Sequence, residues 1–203
     1  MILDSWEPDG EHTISEVVNP RLLAAKSLTS KYNADNPSYE TATRGPFQKE
    51  FWQAIRVELG TLTKDFDCWS LVDRTPDMHV LPSTWAFKIK RYPDGSVKKF
   101  KARFCARGDC QKEGVDYFET WAPVVNWRTI RIIMVLAAKL GLVSAQCNIT
   151  AAFIHRRVPE HEHIYVHQPR GFYEGTKNQV LKLKRTLYGL KQSPRYFFKY
   201  FSD

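Results

Sequence analysis

Two β-prone runs joined by a four-residue turn constrain the fold more than any other feature of the sequence. The runs cover residues 81–92 and 97–105, and Pro93-Asp94-Gly95-Ser96 connects them. Proline, aspartate and glycine each favour a tight turn, so the pattern predicts an antiparallel hairpin. A hairpin of this length needs other elements to cover one of its faces.

Helices and short strands accompany the hairpin. Gly45-Pro46 precedes a strong helical pattern, because proline is favoured in the first turn of a helix. The apolar stripe of this helix consists of Phe47, Phe51, Ile55, Leu59 and Leu62. The other predicted elements are a strand at 69–72, a helix at 128–142 with Ile130, Ile133, Met134, Ala137 and Leu140 on one side, a strand at 143–149, a short helix at 151–155, strands at 163–167 and 180–183, and a helix after Ser193-Pro194. Since no regular βαβ alternation is present, the predicted class is α+β.

The charge of the chain is unevenly distributed. The formal net charge is +8, yet residues 1–45 carry a net charge of −3 and the remaining residues +11. This asymmetry favours a polyanionic partner for the main body. Residues 1–36 are polar and weakly periodic, and we interpret them as a linker or partly ordered leader before a domain at 37–203.

No targeting or membrane segment is visible in the sequence. The N-terminus has no apolar signal core, and no run reaches the roughly 18 apolar residues of a membrane span. Cys68, Cys105, Cys110 and Cys147 form no CxxC pair and no regular framework. We therefore expect an intracellular protein, cytoplasmic or nuclear and not secreted, with reduced cysteines and no membrane partner.

Half of the lysines and arginines lie in two windows. The hairpin window consists of Lys88, Lys90, Arg91, Lys98, Lys99, Lys101, Arg103 and Arg107, and the second window of Lys177, Lys182, Lys184, Arg185, Lys191, Arg195 and Lys199. Because alternate residues of a strand share a face, Lys99, Lys101 and Arg103 are expected to project together. Such a row suits phosphate groups. The alternative interpretation is a solvated strand face.

Four histidines raise the question of a metal site. They are His155, His161, His163 and His167, and the last three share a face of the predicted strand at 163–167. A zinc site usually adds a second ligand cluster from elsewhere, and Cys105 and Cys110 are too oddly spaced to supply one. The pattern favours solvated or hydrogen-bonded histidines.

Asn148 lies where the predicted strand at 143–149 runs into a short helix. Many enzymes place a metal-binding carboxylate at such a junction. Here the residue is a neutral amide, and no Asp or Glu occurs between Glu119 and Glu160 to replace it.

Seven ordered segments carry a family resemblance, and they extend from about residue 37 to the end of the chain. They are FWQAIRVELGTL (51–62), WSLVDR (69–74), STWAFKIKRYPDGSVKKFKARFCARG (83–108), GVDYFETWAPVV (114–125), AQCNITAAFIH (145–155), IYVHQPRGF (164–172) and LKRTLYGLKQSPR (183–195). The chain thereby resembles the reverse transcriptases of copia-type LTR retrotransposons.

The resemblance implies a right-hand polymerase fold, here the fingers and a partial palm that is incomplete at the C-terminus. The hairpin would be the fingers hairpin that closes on an incoming dNTP, with Lys101 and Arg103 on its triphosphate. Ala152, Phe153, Tyr188 and Gly189 would also bind the nucleotide, with Phe153 under the sugar. The residues implied to contact a primer–template duplex are Lys98, Lys99, Lys191 and Arg195.

The resemblance also implies two Mg²⁺ ions, and here the sequence departs from the family. Asn148 falls on the first catalytic aspartate, with the backbone carbonyl of Ile149 as a further metal ligand. Two-metal phosphoryl transfer needs anionic oxygens, and their loss costs on the order of a thousandfold in rate. The family's YxDD aspartates lie downstream of the SPR segment, so we expect the chain to lack all three carboxylates and a single Asn148→Asp reversion to restore nothing. Cys105, Asp109 and Cys110 depart from the family's LVARGFxQ.

We therefore expect a fragment of an RNA-directed DNA polymerase that is inactive as given and binds no Mg²⁺ productively. The alternatives are a non-catalytic nucleic-acid-binding module and a translated remnant without function. The sequence does not indicate an oligomeric state.

Overall fold

The computed structural model describes residues 35–145, 147–176 and 178–202. Four α-helices lie in this part of the chain: α1 (Tyr39–Arg44), α2 (Gln48–Gly60), α3 (Trp127–Lys139) and α4 (Ser193–Ser202). The six strands are β1 (Trp69–Asp73), β2 (Val80–Leu81), β3 (Ser83–Arg91), β4 (Val97–Ala106), β5 (Tyr165–Val166) and β6 (Gln179–Leu183). The mixture of helices and sheets confirms the α+β class.

The strands form two sheets. Strands β3 and β4 make an antiparallel hairpin, whose turn contains Gly95 at a φ of +83°. The second sheet has the order β1-β6-β5-β2, with β2 and β5 parallel and the other pairs antiparallel. An isolated parallel bridge between Cys105 and Tyr188 links the hairpin to a loop after β6.

Helix α2 covers the inner face of the hairpin. Phe51, Ile55 and Leu62 of its predicted apolar stripe are buried, and the Phe51 ring contacts those of Phe87 and Phe100 at centroid distances of 5.2 and 5.1 Å. Edge-to-face aromatic pairs of this kind add to the free energy of area burial. A π-helical turn, Thr61–Asp65, continues α2 and brings Leu62 into the core. The packing fixes the position of β4 relative to the last turn of α2.

Two sequence predictions about local structure are wrong. The predicted strand at 143–149 is irregular backbone over 142–145 and 147–149, because no described strand lies beside it to complete a hydrogen-bonded ladder. The predicted strand at 163–167 is reduced to Tyr165–Val166. Gln146 and Lys177, from the predicted strand and the second basic window, lie outside the described residues, as does the predicted leader up to residue 34.

The predicted helix at 128–142 forms as α3, but its apolar side faces no core. None of its residues is buried, and Ile133 and Met134 are 59% and 66% exposed. Helical periodicity shows that a side is apolar, while burial depends on a neighbouring element. Tyr92, the last residue of the predicted run at 81–92, is also exposed and lies under the ammonium of Lys98. Within the described ranges, no helix is long and apolar enough to cross a membrane.

Candidate functional site

The largest collection of predicted site residues lines one open cavity of about 430 Å³. Four parts of the chain form its walls: the C-terminal end of α2, the middle of β4, the segment 148–154 that enters the 3₁₀ helix Ala152–His155, and Tyr188. Lys99, Lys101, Arg103, Asn148, Ile149, Ala152, Phe153 and Tyr188 all line this cavity. The structure thus brings together residues that lie up to 89 positions apart in the sequence.

Strand β4 supplies the cationic wall. Lys101 lies directly across from Lys88, and Lys99 lies across from Lys90. Residues opposite one another in an antiparallel pair share a face, so four ammonium groups stand together beside Arg103. Burial lowers the pKa of Lys101, and repulsion from Arg103, Lys90 and Lys99 lowers it further. An anion in the cavity would relieve this repulsion.

The loop at residues 148–151, which lines the cavity together with β4, contains a strained backbone conformation. Asn148, Ile149 and Thr150 are exposed, and Ala151 has a φ of +55°, in the left-handed region that residues with a Cβ avoid. Thr186 holds the end of this loop by donating its hydroxyl hydrogen to the carbonyl of Phe153. A strained conformation held by the surrounding structure is a common property of functional loops.

Tyr188 closes the cavity between the loop and β4. Its carbonyl accepts a hydrogen bond of 2.9 Å from the backbone N–H of Ala106. Its ring lies 6.3 Å from that of Phe153 and 5.4 Å from the guanidinium carbon of Arg103. Burial raises the pKa of Tyr188, as does the nearby Glu58 carboxylate. The phenol therefore remains protonated and can act only as a neutral hydrogen-bonding group.

Gly189 supports the cavity from behind without lining it. A Cβ on Gly189 would lie 2.2 Å from the carbonyl oxygen of Ala106, and its φ is +91°. The backbone of Gly108 lies equally close to that of Gly189, since a Cβ on Gly108 would lie 1.9 Å from the carbonyl oxygen of Gly189. Two glycines therefore permit the close backbone contact that brings Tyr188 beside β4.

Three of the cations expected to contact nucleic acid are placed elsewhere. Lys98 lies over the ring of Tyr92, and Lys191 lies over Tyr117. Arg195 forms an ion pair with Glu119 and donates to the carbonyl of Trp121. None of the three lines the cavity, because the strand pleat directs Lys98 away from Lys99 and local partners engage the other two.

Glu58 and Thr61 line the cavity although the sequence interpretation did not select them. Glu58 falls at the helical spacing of Phe51, Ile55 and Leu62, which is the buried side of α2. A carboxylate on the core side of a helix is a detectable sequence signal, since buried acids are rare without a partner.

The predicted histidine cluster does not assemble into a metal site. His155 hydrogen-bonds through Nε2 with the carbonyl of Thr150, and His161 lies 3.9 Å from Glu162. Burial lowers the pKa of His167, and the positive charge of Arg74 lowers it further. In the parts of the chain that the structure describes, no three His, Cys, Asp or Glu side chains are arranged to hold a metal ion.

Comparisons with known proteins identify the family of the chain. A family model described as "Reverse transcriptase (RNA-dependent DNA polymerase)" matches residues 66–203, and the chain belongs to this family. It is 37% identical over 190 residues to the "Retrovirus-related Pol polyprotein from transposon TNT 1-94" of Nicotiana tabacum, covering 91% of this chain and 14% of that protein. The polyproteins from transposons RE1 and RE2 of Arabidopsis thaliana are 30% and 33% identical, over 89% and 81% of this chain and 12% and 11% of their own lengths.

These matches confirm the resemblance to retrotransposon reverse transcriptases. The chain spans about one seventh or less of each of these three polyproteins. No solved structure matches the chain significantly.

The donors in the cavity do not fit the pair of Mg²⁺ ions that the family uses. Among its described lining residues, Glu58 is the only carboxylate. It already accepts a backbone hydrogen bond and lies near the positive charges of Lys101 and Arg103. Asn148 offers a neutral amide oxygen and Ile149 a backbone carbonyl. Mg²⁺ favours anionic oxygens in a near-octahedral arrangement, and two adjacent ions need several such ligands.

Proposed function

We propose that this chain forms the fingers and part of the palm of a retrotransposon reverse transcriptase, and that its cavity binds the triphosphate of a dNTP. The observation that carries the proposal is the single cavity shared by Lys101, Arg103, Asn148, Phe153 and Tyr188. The whole polymerase would extend a primer with dNTPs on an RNA or DNA template.

The cavity suggests a role for each wall. The ammonium of Lys101 and the guanidinium of Arg103 stand on one face of β4, where fixed cations can contact phosphate oxygens without reorganising. Phe153 and Tyr188 add two aromatic rings, 6.3 Å apart, to the same cavity, and these suit the apolar faces of a sugar and a base. The hairpin therefore binds the charged end of the nucleotide, and the loop contacts its remainder.

We further propose that the chain does not catalyse DNA synthesis. The two-metal reaction requires anionic ligands to hold both cations and to align the attacking oxygen with the α-phosphate. Asn148 provides no charge at the position of the family's first aspartate. The Glu58 carboxylate lies within a cationic environment that opposes metal binding. Nucleotide binding and catalysis are thus separable in this chain.

Nucleotide binding is tested by titrating the protein with a fluorescent dNTP at low ionic strength. Saturable binding that falls at least tenfold in Lys101→Ala/Arg103→Ala supports the proposal. A matched control is Lys64→Ala/Lys139→Ala, which removes two exposed lysines outside the cavity. An equal loss of dNTP affinity in both double variants, or no dNTP binding by the wild type, would refute the proposed nucleotide site. Primer extension with Mg²⁺ or Mn²⁺ above a boiled control would refute the proposed inactivity.

A non-catalytic nucleic-acid-binding module is the second candidate. The cationic face of the hairpin favours it, since Lys88, Lys90, Lys99 and Lys101 enter none of the ion pairs between described residues. Phosphate contacts release counterions, so the affinity for a primer–template duplex should fall steeply with salt. In a plot of log affinity against log salt concentration, the magnitude of the slope should decrease by about two when Lys101 and Arg103 are both replaced. If the salt dependence of duplex binding is unchanged in that double variant, the cationic face of the hairpin is not a nucleic-acid-binding surface.

A further inference from the structure

Glu58 is a carboxylate on the core-facing side of a helix. It lies in the last turn of α2, one turn after the buried Ile55 and one turn before the buried Leu62. A half-buried acid among apolar side chains costs free energy unless a specific contact or function offsets it. The groups around Glu58 indicate what that function is.

The hydrogen bond of Glu58 is to a neutral donor. One carboxylate oxygen accepts the backbone N–H of Phe104 at 3.3 Å, a bond that satisfies the outer edge of β4. Glu58 enters none of the ion pairs formed by the described residues. Its interaction with the cations of β4 is therefore through space rather than by contact.

The charged neighbours of Glu58 come from three elements. Lys101 and Arg103 on β4 lower the pKa of Glu58, but burial is the larger cause and raises it. In return the Glu58 carboxylate raises the pKa values of Tyr188, Cys105 and Cys68, for which burial is again the first cause. Lys99 is the other cation of the cavity wall. Among the described lining residues, Glu58 is thus the single source of negative charge.

We propose that Glu58 is a specificity-determining residue, whose carboxylate opposes the binding of densely charged anions beside Lys101 and Arg103. This inference rests on the proposed phosphate site and adds a regulation of it. A fixed negative charge within the cavity repels every phosphate that enters. Polyanions without a compensating cation are then held more weakly when Glu58 is ionised than when it is protonated.

The variant Glu58→Gln tests this directly. Glutamine has nearly the same shape and its amide oxygen can still accept the Phe104 N–H, so only the charge is removed. We expect inorganic tripolyphosphate, titrated at low salt with a chelator present, to bind about three- to tenfold more tightly to Glu58→Gln than to the wild type. Glu160→Gln is the matched control, because it removes the same charge from an exposed position that lines neither this cavity nor the neighbouring one formed by α2 and β4.

A second measurement on the wild type is independent of how Glu58→Gln folds. Inositol hexasulfate keeps its charge at acidic as well as neutral pH, so a change of its affinity with pH reports on groups of the protein. Because burial raises the pKa of Glu58 above its ordinary value, this carboxylate takes up its proton earlier than an exposed glutamate as the pH falls. The affinity should therefore rise on acidification from neutral pH. Cys105 and Cys68, with pKa values raised to about 11 and about 12, stay protonated throughout.

The outcomes separate the two proposals. Tighter binding by Glu58→Gln, unchanged binding by Glu160→Gln and a smaller rise in affinity on acidification in Glu58→Gln than in the wild type support the inference. Equal or weaker binding by Glu58→Gln, in a protein whose binding still depends on Lys101 and Arg103, overturns the inference alone. Absence of any binding that depends on Lys101 and Arg103 overturns both the inference and the phosphate site.

Discussion

The guanidinium carbon of Arg103 lies 5.4 Å from the centroid of the Tyr188 ring. This contact joins the hairpin to the loop after β6, and the backbone bond from Ala106 to Tyr188 lies beside it. Arg103 and Tyr188 are 85 positions apart in the sequence. The pair therefore shows that the cavity is a product of tertiary contacts.

Replacing Tyr188 should separate the role of its ring from that of its hydroxyl. In Tyr188→Leu the cation–π contact is lost, a contribution of about 0.5–1 kcal/mol at an exposed site. We expect tripolyphosphate binding to weaken about two- to fivefold, because Arg103 is no longer held in one orientation. Tyr188→Phe keeps a ring and should bind like the wild type. If it instead loses as much affinity as Tyr188→Leu, the hydroxyl and not the ring is responsible.

Gly189 should tolerate no side chain. In Gly189→Ala the new methyl group would overlap the carbonyl of Ala106, in a backbone conformation that L-residues rarely adopt. We expect a loss of about 2–4 kcal/mol in the free energy of unfolding, measured by urea titration.

Gly60→Ala serves as the control for that glycine variant. A Cβ at Gly60 would meet nothing within 4 Å, and Gly60 is the last residue of α2. Alanine in a helix is favoured over glycine by up to about 1 kcal/mol, so this variant should be unchanged or more stable. Similar destabilisation by both substitutions would contradict the close backbone contact.

Arg185 should be required for stability rather than for binding. Its guanidinium donates to the carbonyl of Phe66 at 2.6 Å and to that of His155 at 2.8 Å. Arg185→Met leaves both carbonyls without this donor, and we expect a loss of about 2–4 kcal/mol in a urea or thermal melt. Arg56→Met, at an exposed position of α2, should change stability by less than about 0.5 kcal/mol. A non-cooperative melt of the wild type would instead favour a functionless remnant.

The four cysteines should react at very different rates. Burial raises the pKa of Cys68 to about 12 and that of Cys105 to about 11, so their thiolate populations at pH 8 are very small. Cys147 is exposed and free. With Ellman's reagent at pH 8, one fast thiol should disappear in Cys147→Ser while slow thiols remain. A fast phase that survives this substitution would assign the reactivity to another cysteine.

Local patterns were sufficient for most of the secondary structure. Alternation and turn chemistry predicted the β3–β4 hairpin, and apolar spacing predicted α2 with its buried Phe51 and Ile55. The segment at 143–149 was mistaken for a strand because a short apolar run does not reveal whether a partner strand lies beside it. The apolar residues of α3 were predicted correctly as one side, while their exposure depends on what surrounds the helix.

In the candidate site, too, some features were predicted from the sequence and others were set by the fold. Strand alternation predicted that Lys101 and Arg103 share a face. Their assignment to a triphosphate, like the selection of Phe153 and Tyr188, came from a family resemblance that the comparisons confirm. Lys191 and Arg195 were expected to contact nucleic acid, but Tyr117 and Glu119 are their partners in the fold. The roles of all these residues in binding stay predictions until the titrations are done.

The sequence by itself determined most of the elements, the cationic row of β4 and the neutral amide at Asn148, because each depends on residue type and short-range periodicity. The tertiary structure decided which cations share a cavity and which have local partners. It also placed Glu58 beside Lys101 and Arg103. Electrostatic and packing energies depend on distances between residues far apart in the chain, and only the folded backbone sets those distances.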